Sequence, residues 1–478
     1  MKNKAILYAL TVAVLDVIAA AIVINANYKP EIEVDEYQIA IDAAMEFESQ
    51  NLCVKAIEQY VKAYSYRKSP DIILKVADLY TLGYENGEFT SLSGRYDTLS
   101  QATDLYPEIT EPFDELIEYY YNSGNYSTCG TFIKKALENN VSTDTVKKYY
   151  EIVRKMYSET SVPYDKVYSV GSCVVTERNV VEYITGEADD EPKEHKLVEY
   201  TFFNNDGSKS ETFSVLNMSP PISVGNSTMY FMKNYGNDAV LEEKSDEIYS
   251  WFVMNGVRQC YIGESNEYIS VNPSSNSVII LYNTKSGKYD FFSPSGKKIG
   301  ENFEYAGCFN DSLLYCIKDG VKKVMNASGE NVFSKGIEDV VLSFGGRCCS
   351  AKRLFVKFSG NNKYRIINST DFSEINFECD NADLFFDSYA AFEQNGKWGF
   401  VDTEGNVAIE PQYDCAQSFA NGYAAVKKQG KWGFINKKNE MIVNPMFDEA
   451  VYMDSTGMAF VKDSEKGWEK IKLFYMEK

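Results

Sequence analysis

Between about Ala390 and Ala450 one stretch of sequence occurs twice, and no other feature limits so strongly what the chain can fold into. Gly396-Lys397-Trp398-Gly399-Phe400-Val401-Asp402 returns thirty-four positions later as Gly430-Lys431-Trp432-Gly433-Phe434-Ile435-Asn436. The match continues through Glu410-Pro411-Gln412-Tyr413-Asp414 against Asn444-Pro445-Met446-Phe447-Asp448, and through Tyr389-Ala390-Ala391-Phe392 against Tyr423-Ala424-Ala425-Val426. Register held over so many positions marks a duplication, and a period of about 20–50 residues marks a repeat architecture.

Each copy has its own physical logic. Phe400 and Val401, then Thr403-Glu404-Gly405, then Val407 and Ile409 make a strand, a tight turn and a second strand. Gly405, Gly296, Gly329 and Gly207 recur at one turn position, where Asn439 replaces them once. Glycine and asparagine tolerate positive φ, so a single left-handed position accounts for the exchange. From Trp398 to Val401 both strand faces carry apolar groups, which predicts a sheet covered on both sides. Three or four short strands fit one period. Sheets of this kind repeated radially describe a β-propeller, with an open β-solenoid as the alternative.

The phrase Gly-Lys-Trp-Gly-Phe-(Val/Ile)-(Asp/Asn), followed by a turn and a Pro-x-(Tyr/Phe)-Asp segment, resembles the WG-repeat family of bacterial proteins. Worn copies extend the resemblance to roughly residues 165–478. Tyr289-Asp290-Phe291-Phe292, Lys322-Lys323-Val324-Met325 and Tyr364-Arg365-Ile366-Ile367 keep the strand and turn but lose the Trp-Gly pair. Tyr200-Thr201-Phe202-Phe203 is an early copy, and Trp468 sits in a late one with Glu469 where glycine stood.

At the other end, Lys2 and Lys4 precede an apolar run from Ala5 to Ile24, broken by Tyr8, Thr11 and Asp16 and followed by Glu31, Glu33, Asp35 and Glu36. About twenty residues of helix span a bilayer core, and basic residues before the run place the N-terminus in the cytoplasm. The expectation is an uncleaved membrane anchor over residues 1–30, single-pass, with the bulk of the chain extracytoplasmic. Secretion after cleavage near Ala19-Ala20-Ala21 is the alternative.

From about Glu33 to Ser158 the apolar period becomes helical. Ala44, Phe47, Ala56, Tyr60 and Ala63 before Pro70, and again Ile117, Tyr120, Gly124, Tyr126, Ile133 and Ala136, resemble the small-and-aromatic spacing of tetratricopeptide repeats. Cys129 stands where that pattern has alanine, and Gly83-Tyr84-Glu85-Asn86-Gly87 interrupts it. The predicted fold class is therefore multidomain: an N-terminal transmembrane helix, an α-helical tetratricopeptide-like domain over 31–162, and a C-terminal all-β repeat domain over 163–478, β-propeller-like.

Composition narrows function mainly by exclusion. The formal charge of −21 argues against nucleic acid as a partner and against broad contact with anionic lipid. Ten cysteines include no CxxC pair, so zinc and thioredoxin-like chemistry lack a motif. The single histidine, His195, flanks the charged stretch Gly186–Glu194, a poor setting for a triad base. Neither GxxxxGK(S/T) nor a strand-preceded GxGxxG occurs, so no cofactor is expected. Asp402, Asp414 and Asp448 recur at repeat positions and are read as turn-bonding acids. Trp398, Trp432 and Trp468 are read as sheet core.

The functional expectation is a membrane-anchored, extracytoplasmic interaction scaffold for an unknown protein or glycan, without enzyme activity. A carboxylate-dependent hydrolase of cell-wall or extracellular polysaccharide is the alternative. In the tetratricopeptide register the inward positions of the third unit are Glu111, Asp114, Glu118, Tyr121 and Asn122, and those of the first are Gln38, Ile41, Met45 and Glu48. Partner binding is expected at Asp114, Glu118, Tyr121 and Asn122. These side chains select a basic or neutral partner.

Overall fold

The computed structural model describes residues 34–170, 173–184, 193–215, 222–224, 227–234, 248–255, 258–265, 268–271, 279–283, 286–292, 298–307, 312–343 and 347–476. The chain divides into two compact units, Met1–Arg154 and Lys155–Lys478. The β unit thus takes in residues ahead of the expected start at 163.

Seven helices make the described part of the first unit: α1 (Val34–Ser49), α2 (Cys53–Tyr66), α3 (Pro70–Glu85), α4 (Ser93–Leu105), α5 (Glu111–Asn122), α6 (Tyr126–Glu138) and α7 (Asp144–Val153). Neighbours in sequence pack together, and α5 also packs on α7. Alanines at the crossings allow the close approach: Ala44, Ala56 and Ala63 are fully buried, with Tyr60 filling the space beside them. The interruption at Gly83–Gly87 has a structural use. The helix runs through Gly83 to Glu85, and the following loop brings the Glu88 carboxylate onto the amides of Cys53 (2.9 Å) and Val54 (3.2 Å), capping α2.

The expected membrane helix, Ala5–Ile24, lies outside the described residues. Among the described residues no helix is long and apolar enough to cross a membrane, which corrects both the fold class and the single-pass localisation. The helices present are short and two-faced. In α3, buried Ile72, Ile73, Val76 and Leu79 alternate with Asp71, Asp78 and Glu85 on the exposed side.

Among the described residues the second unit forms eight antiparallel sheets. The first holds Lys166–Val170, Cys173–Ile184, Lys193–Phe203 and Phe213–Val215, and the second runs from Ile222–Val224 to Arg258–Ser265. The third spans Tyr268–Val271 to Lys298–Phe303, and the fourth has three strands, Tyr305–Ala306, Leu313–Lys318 and Val321–Asn326. The fifth runs from Ile337–Val340 to Glu374–Cys379. The two clear repeats are the sixth sheet (Asn381–Ala382, Tyr389–Gln394, Lys397–Asp402, Val407–Tyr413) and the seventh (Cys415–Ala416, Tyr423–Lys428, Lys431–Asn436, Met441–Phe447). The eighth is composite: Glu449–Ala450, Met458–Asp463 and Gly467–Leu473 are completed by Tyr157–Ser161 from the beginning of the unit.

Apolar faces stack successive sheets. Leu313 and Tyr315 share a cluster with Val340 and Leu354, Phe355 with Phe385 and Phe392, Phe400 with Phe419 and Ile435, and Phe434 with Ile471. The last sheet returns to the first: Val451, Phe460 and Trp468 pack with Val167, Val174 and Phe203, the Phe203 and Phe460 rings meeting edge-on at 5.1 Å. Adjacency of first and last sheets is what a propeller-like arrangement needs, and an open solenoid does not supply it.

The left-handed turn position is present where expected, with φ of 87° at Gly405, 84° at Gly329, 76° at Gly207 and 62° at Asn439. The tryptophans divide. Trp468 is 4% exposed. Trp398 and Trp432 are only half-buried at the margins of their clusters, so the reading of these two as sheet core is corrected.

Candidate functional site

In the β unit the recurrent acids are consumed internally. Asp402 Oδ1 accepts from the amides of Glu404 (3.0 Å) and Asn406 (2.8 Å), stapling its turn, and Asn436 does the same for Lys438 and Glu440. Burial alone would raise the Asp402 carboxyl, but these amide bonds and the Asn406 side chain hold it below the usual range. A second recurrence joins neighbouring sheets. Lys322 donates to Asp339 (3.3 Å), Lys363 to Asp380, Lys397 to Asp414 (2.7 Å) and Lys431 to Asp448 (2.5 Å). Each lysine lies in or directly before a strand of one sheet, and each acid leads into or begins the next. In sequence the partners are always seventeen positions apart, a periodic signal that reading the acids one by one overlooks. Asp414 also accepts from the Gly430 amide at 3.0 Å. These acids therefore serve as inter-sheet staples and turn caps.

Among the described residues no group of three or more histidine, cysteine, aspartate or glutamate side chains could hold a metal ion. Cys53, Cys129, Cys173, Cys316, Cys348, Cys349 and Cys379 are buried and Cys415 is half-buried, and none of the eight forms a disulfide. Desolvation pushes the thiols of Cys129, Cys316 and Cys379 up to about 12, which makes them poor nucleophiles. His195 stands opposite Glu182 in the long hairpin of the first sheet. Most of the charged stretch beside it lies outside the described residues.

The helical unit leaves its polar groups more open. Of the four expected partner-binding residues on α5, Asp114 accepts from Thr143 Oγ1 at 2.5 Å, and Thr143 caps α7. Tyr121 is edge-on to Tyr126 and tilted against Tyr149, with ring centroids 5.5 and 4.7 Å away. Glu118 and Asn122 are exposed, as is Glu111. Two of the four thus join α5 to its neighbours and two face outward. In the first hairpin Glu48 is held by Lys75 (2.5 Å) and Tyr60 (3.1 Å), Gln38 donates to Asp42 (2.8 Å), Ile41 packs at the core margin, and Met45 is 58% exposed.

A residue not singled out from sequence organises the middle of this unit. Arg95, at the start of α4, reaches between α3 and α5. Its Nε donates to Glu115 (3.2 Å), Nη2 to both Glu115 oxygens (2.9 and 2.6 Å), and Nη1 to Asp78 (3.0 Å) and Thr81 (3.0 Å). Beside it the rings of Tyr96 and Tyr119 stack at 3.4 Å. Asp71, Asp78 and Glu85 stand seven residues apart on the exposed side of α3, and Glu111 and Glu118 do so on α5. Seven residues are nearly two helical turns, so each set forms one acidic stripe.

Comparison with known proteins adds the following. The WG containing repeat matches residues 374–398, 398–432 and 432–466. No curated protein matches the chain. Among solved structures, the β-propeller domain of the Trilobed protease from Pyrococcus furiosus is 12% identical over 60% of this chain and 99% of that one, with a TM-score of 0.30. Kluyveromyces lactis Hsv2 is 10% identical over 62% and 92%, with a TM-score of 0.31. The Sgt2 TPR domain from Aspergillus fumigatus is 18% identical over 24% and 76%, with a TM-score of 0.18. Likeness at these TM-scores carries no inference about this chain, whose fold rests on its own strand pairing.

Proposed function

The chain carries WG-containing repeats over residues 374–466, and on that premise we propose that it is a non-enzymatic interaction scaffold whose helical unit recognises a basic segment of a partner protein. The observation that carries this reading is the contrast between the two sets of acids. Those of the repeats are paired with lysines and turn amides, which suits a rigid frame. Those of α3 and α5 stand in exposed stripes, in which Asp71, Glu85, Glu111 and Glu118 offer a cationic segment Coulomb energy without displacing an internal bond and only Asp78 is shared with Arg95. Arg95 does not reverse the sign, because Asp78 and Glu115 together outweigh it.

The test uses the full chain and a fluorescein-labelled octapeptide alternating lysine and serine, followed by fluorescence anisotropy over a salt series. Binding that weakens with salt, and that is lost in Glu111→Lys with Glu118→Lys, is the expected result. Both residues are exposed, so this variant leaves the Asp114 cap intact. Binding of a glutamate–serine octapeptide with equal affinity would overturn the reading.

A further inference from the structure

Beside Arg95 the helical unit holds an open cavity of about 430 Å³, walled by Leu82, Leu92 and Tyr96, with Asp78 and Glu85 among the residues lining it. Three observations fix what it can take. First, all three nitrogens of the Arg95 guanidinium already donate within the fold, to Glu115, Asp78 and Thr81. An anionic ligand would compete with those bonds and would meet two carboxylates. Second, Leu82, Leu92 and the Tyr96 ring offer an apolar wall, and Tyr96 is held in place by its stack on Tyr119. Third, Glu85 makes no hydrogen bond or ion pair among the described residues, and Asp78 engages Arg95 through Oδ1 with its side chain still 69% exposed. A purely apolar ligand would cover these charges uncompensated.

The chemistry that satisfies all three is a long aliphatic stem with a cationic head, the stem lying on the leucines and the tyrosine face and the head at the carboxylates. We propose that this cavity receives one lysine or arginine side chain of the bound segment. The proposal rests on the reading of the helical unit as a receptor for basic segments and names the place where that segment is anchored.

Glu85→Gln is the cleanest variant, because Glu85 is exposed and has no bond to any of the described residues. In anisotropy titrations of the full chain with the lysine–serine octapeptide, it should weaken binding about threefold, and Asp78→Asn with Glu85→Gln about tenfold. Replacing the peptide's lysines by acetyl-lysine keeps the stem, removes the charge and should abolish binding. Far-UV circular dichroism matching the wild type shows that the variants are folded. If the double variant binds as tightly as the wild type while Glu111→Lys with Glu118→Lys binds weakly, the reading of the helical unit as a receptor for basic segments stands and the cavity is not the anchor. If the wild type does not bind the lysine peptide at all, both readings fall together. Retained binding of the acetylated peptide would overturn the cationic head.

Discussion

Gly399 lies against the backbone of Ile409 so closely that a β-carbon on it would stand 2.4 Å from the Ile409 carbonyl oxygen and 2.8 Å from the Pro411 nitrogen. Gly433 repeats the relation with Val443 at 2.4 Å and Pro445 at 2.8 Å. In both sheets the pairing register shifts at this point, between Trp398 and Phe400 and between Trp432 and Phe434. The glycine of the Trp-Gly pair and the proline of the following strand are thus two halves of one bulge. Where the eighth copy has Glu469, the neighbouring strand is Tyr157–Ser161, which pairs without a register shift, and a side chain fits.

Gly433→Ala should therefore destabilise the β unit by about 1–3 kcal/mol, the range for forcing extra volume into a packed site. At an uncrowded strand glycine the same change would stabilise by reducing unfolded-state freedom, so the sign alone is diagnostic. Urea unfolding followed by tryptophan fluorescence measures it, and a variant more stable than the wild type would contradict the crowding.

The clasp strand gives a second prediction. Thr160 pairs opposite Lys470 at a position whose amide faces the last strand, as the bonds of Val162 to Trp468 and Phe474 to Met156 in the same register show. Four of the five clasp residues are exposed, so Thr160→Pro removes a ladder hydrogen bond rather than packing. Amide hydrogen exchange across Gly467–Leu473 should accelerate while the sixth and seventh sheets keep their protection. Unchanged exchange in the last strand would mean that the clasp contributes nothing.

The lysine–aspartate staples predict a pH dependence. Asp380, Asp414 and Asp448 are each held below the usual carboxylate range, first by the lysine hydrogen bond. A carboxyl whose folded pKa lies below its unfolded value stabilises fully above the unfolded value, about 3.9, and loses that contribution as pH falls through the folded one. The urea midpoint of the β unit should drop as pH falls from about 4 to about 2. Asp414→Asn with Asp448→Asn should flatten that limb, and an unaltered slope would assign the acid sensitivity elsewhere.

The tryptophans should separate by burial. Trp468, buried between the last and first sheets, should cost about 3–5 kcal/mol on replacement by alanine. Trp398 and Trp432, half-buried at cluster margins, should each cost clearly less in the same urea titrations. Equal losses at all three would restore the core reading for the repeat pair.

The repeat was legible because duplication keeps register: strand, turn and left-handed glycine recur at Gly405 and Asn439 as their spacing implies. The roles of Asp402, Asp414 and Asp448 as bonding acids were legible from residue type. What they bond to was not, since a lysine seventeen positions earlier on another sheet is a tertiary relation. The clasp had no local signal. Tyr157-Ser158-Glu159-Thr160-Ser161 shows no apolar alternation and is a strand only because Gly467–Leu473 offers it an edge. On α5, Asp114 and Tyr121 looked available because helical periodicity cannot show that α7 packs there. Arg95 escaped notice because its three acceptor residues come from two other helices.

The composite eighth sheet also sets a timetable for synthesis. Glu159 and its partner Lys466 are 307 residues apart in sequence. At a ribosomal rate of roughly 5–20 residues per second, the clasp waits about 15–60 s for the strand it will join. Throughout that interval the emerging sheets can stack on one another, but the eighth has not been made and the first lacks its neighbour. The nascent chain therefore carries an unmatched strand and an open apolar face until the last stretch emerges, the stage at which a holding chaperone would matter most.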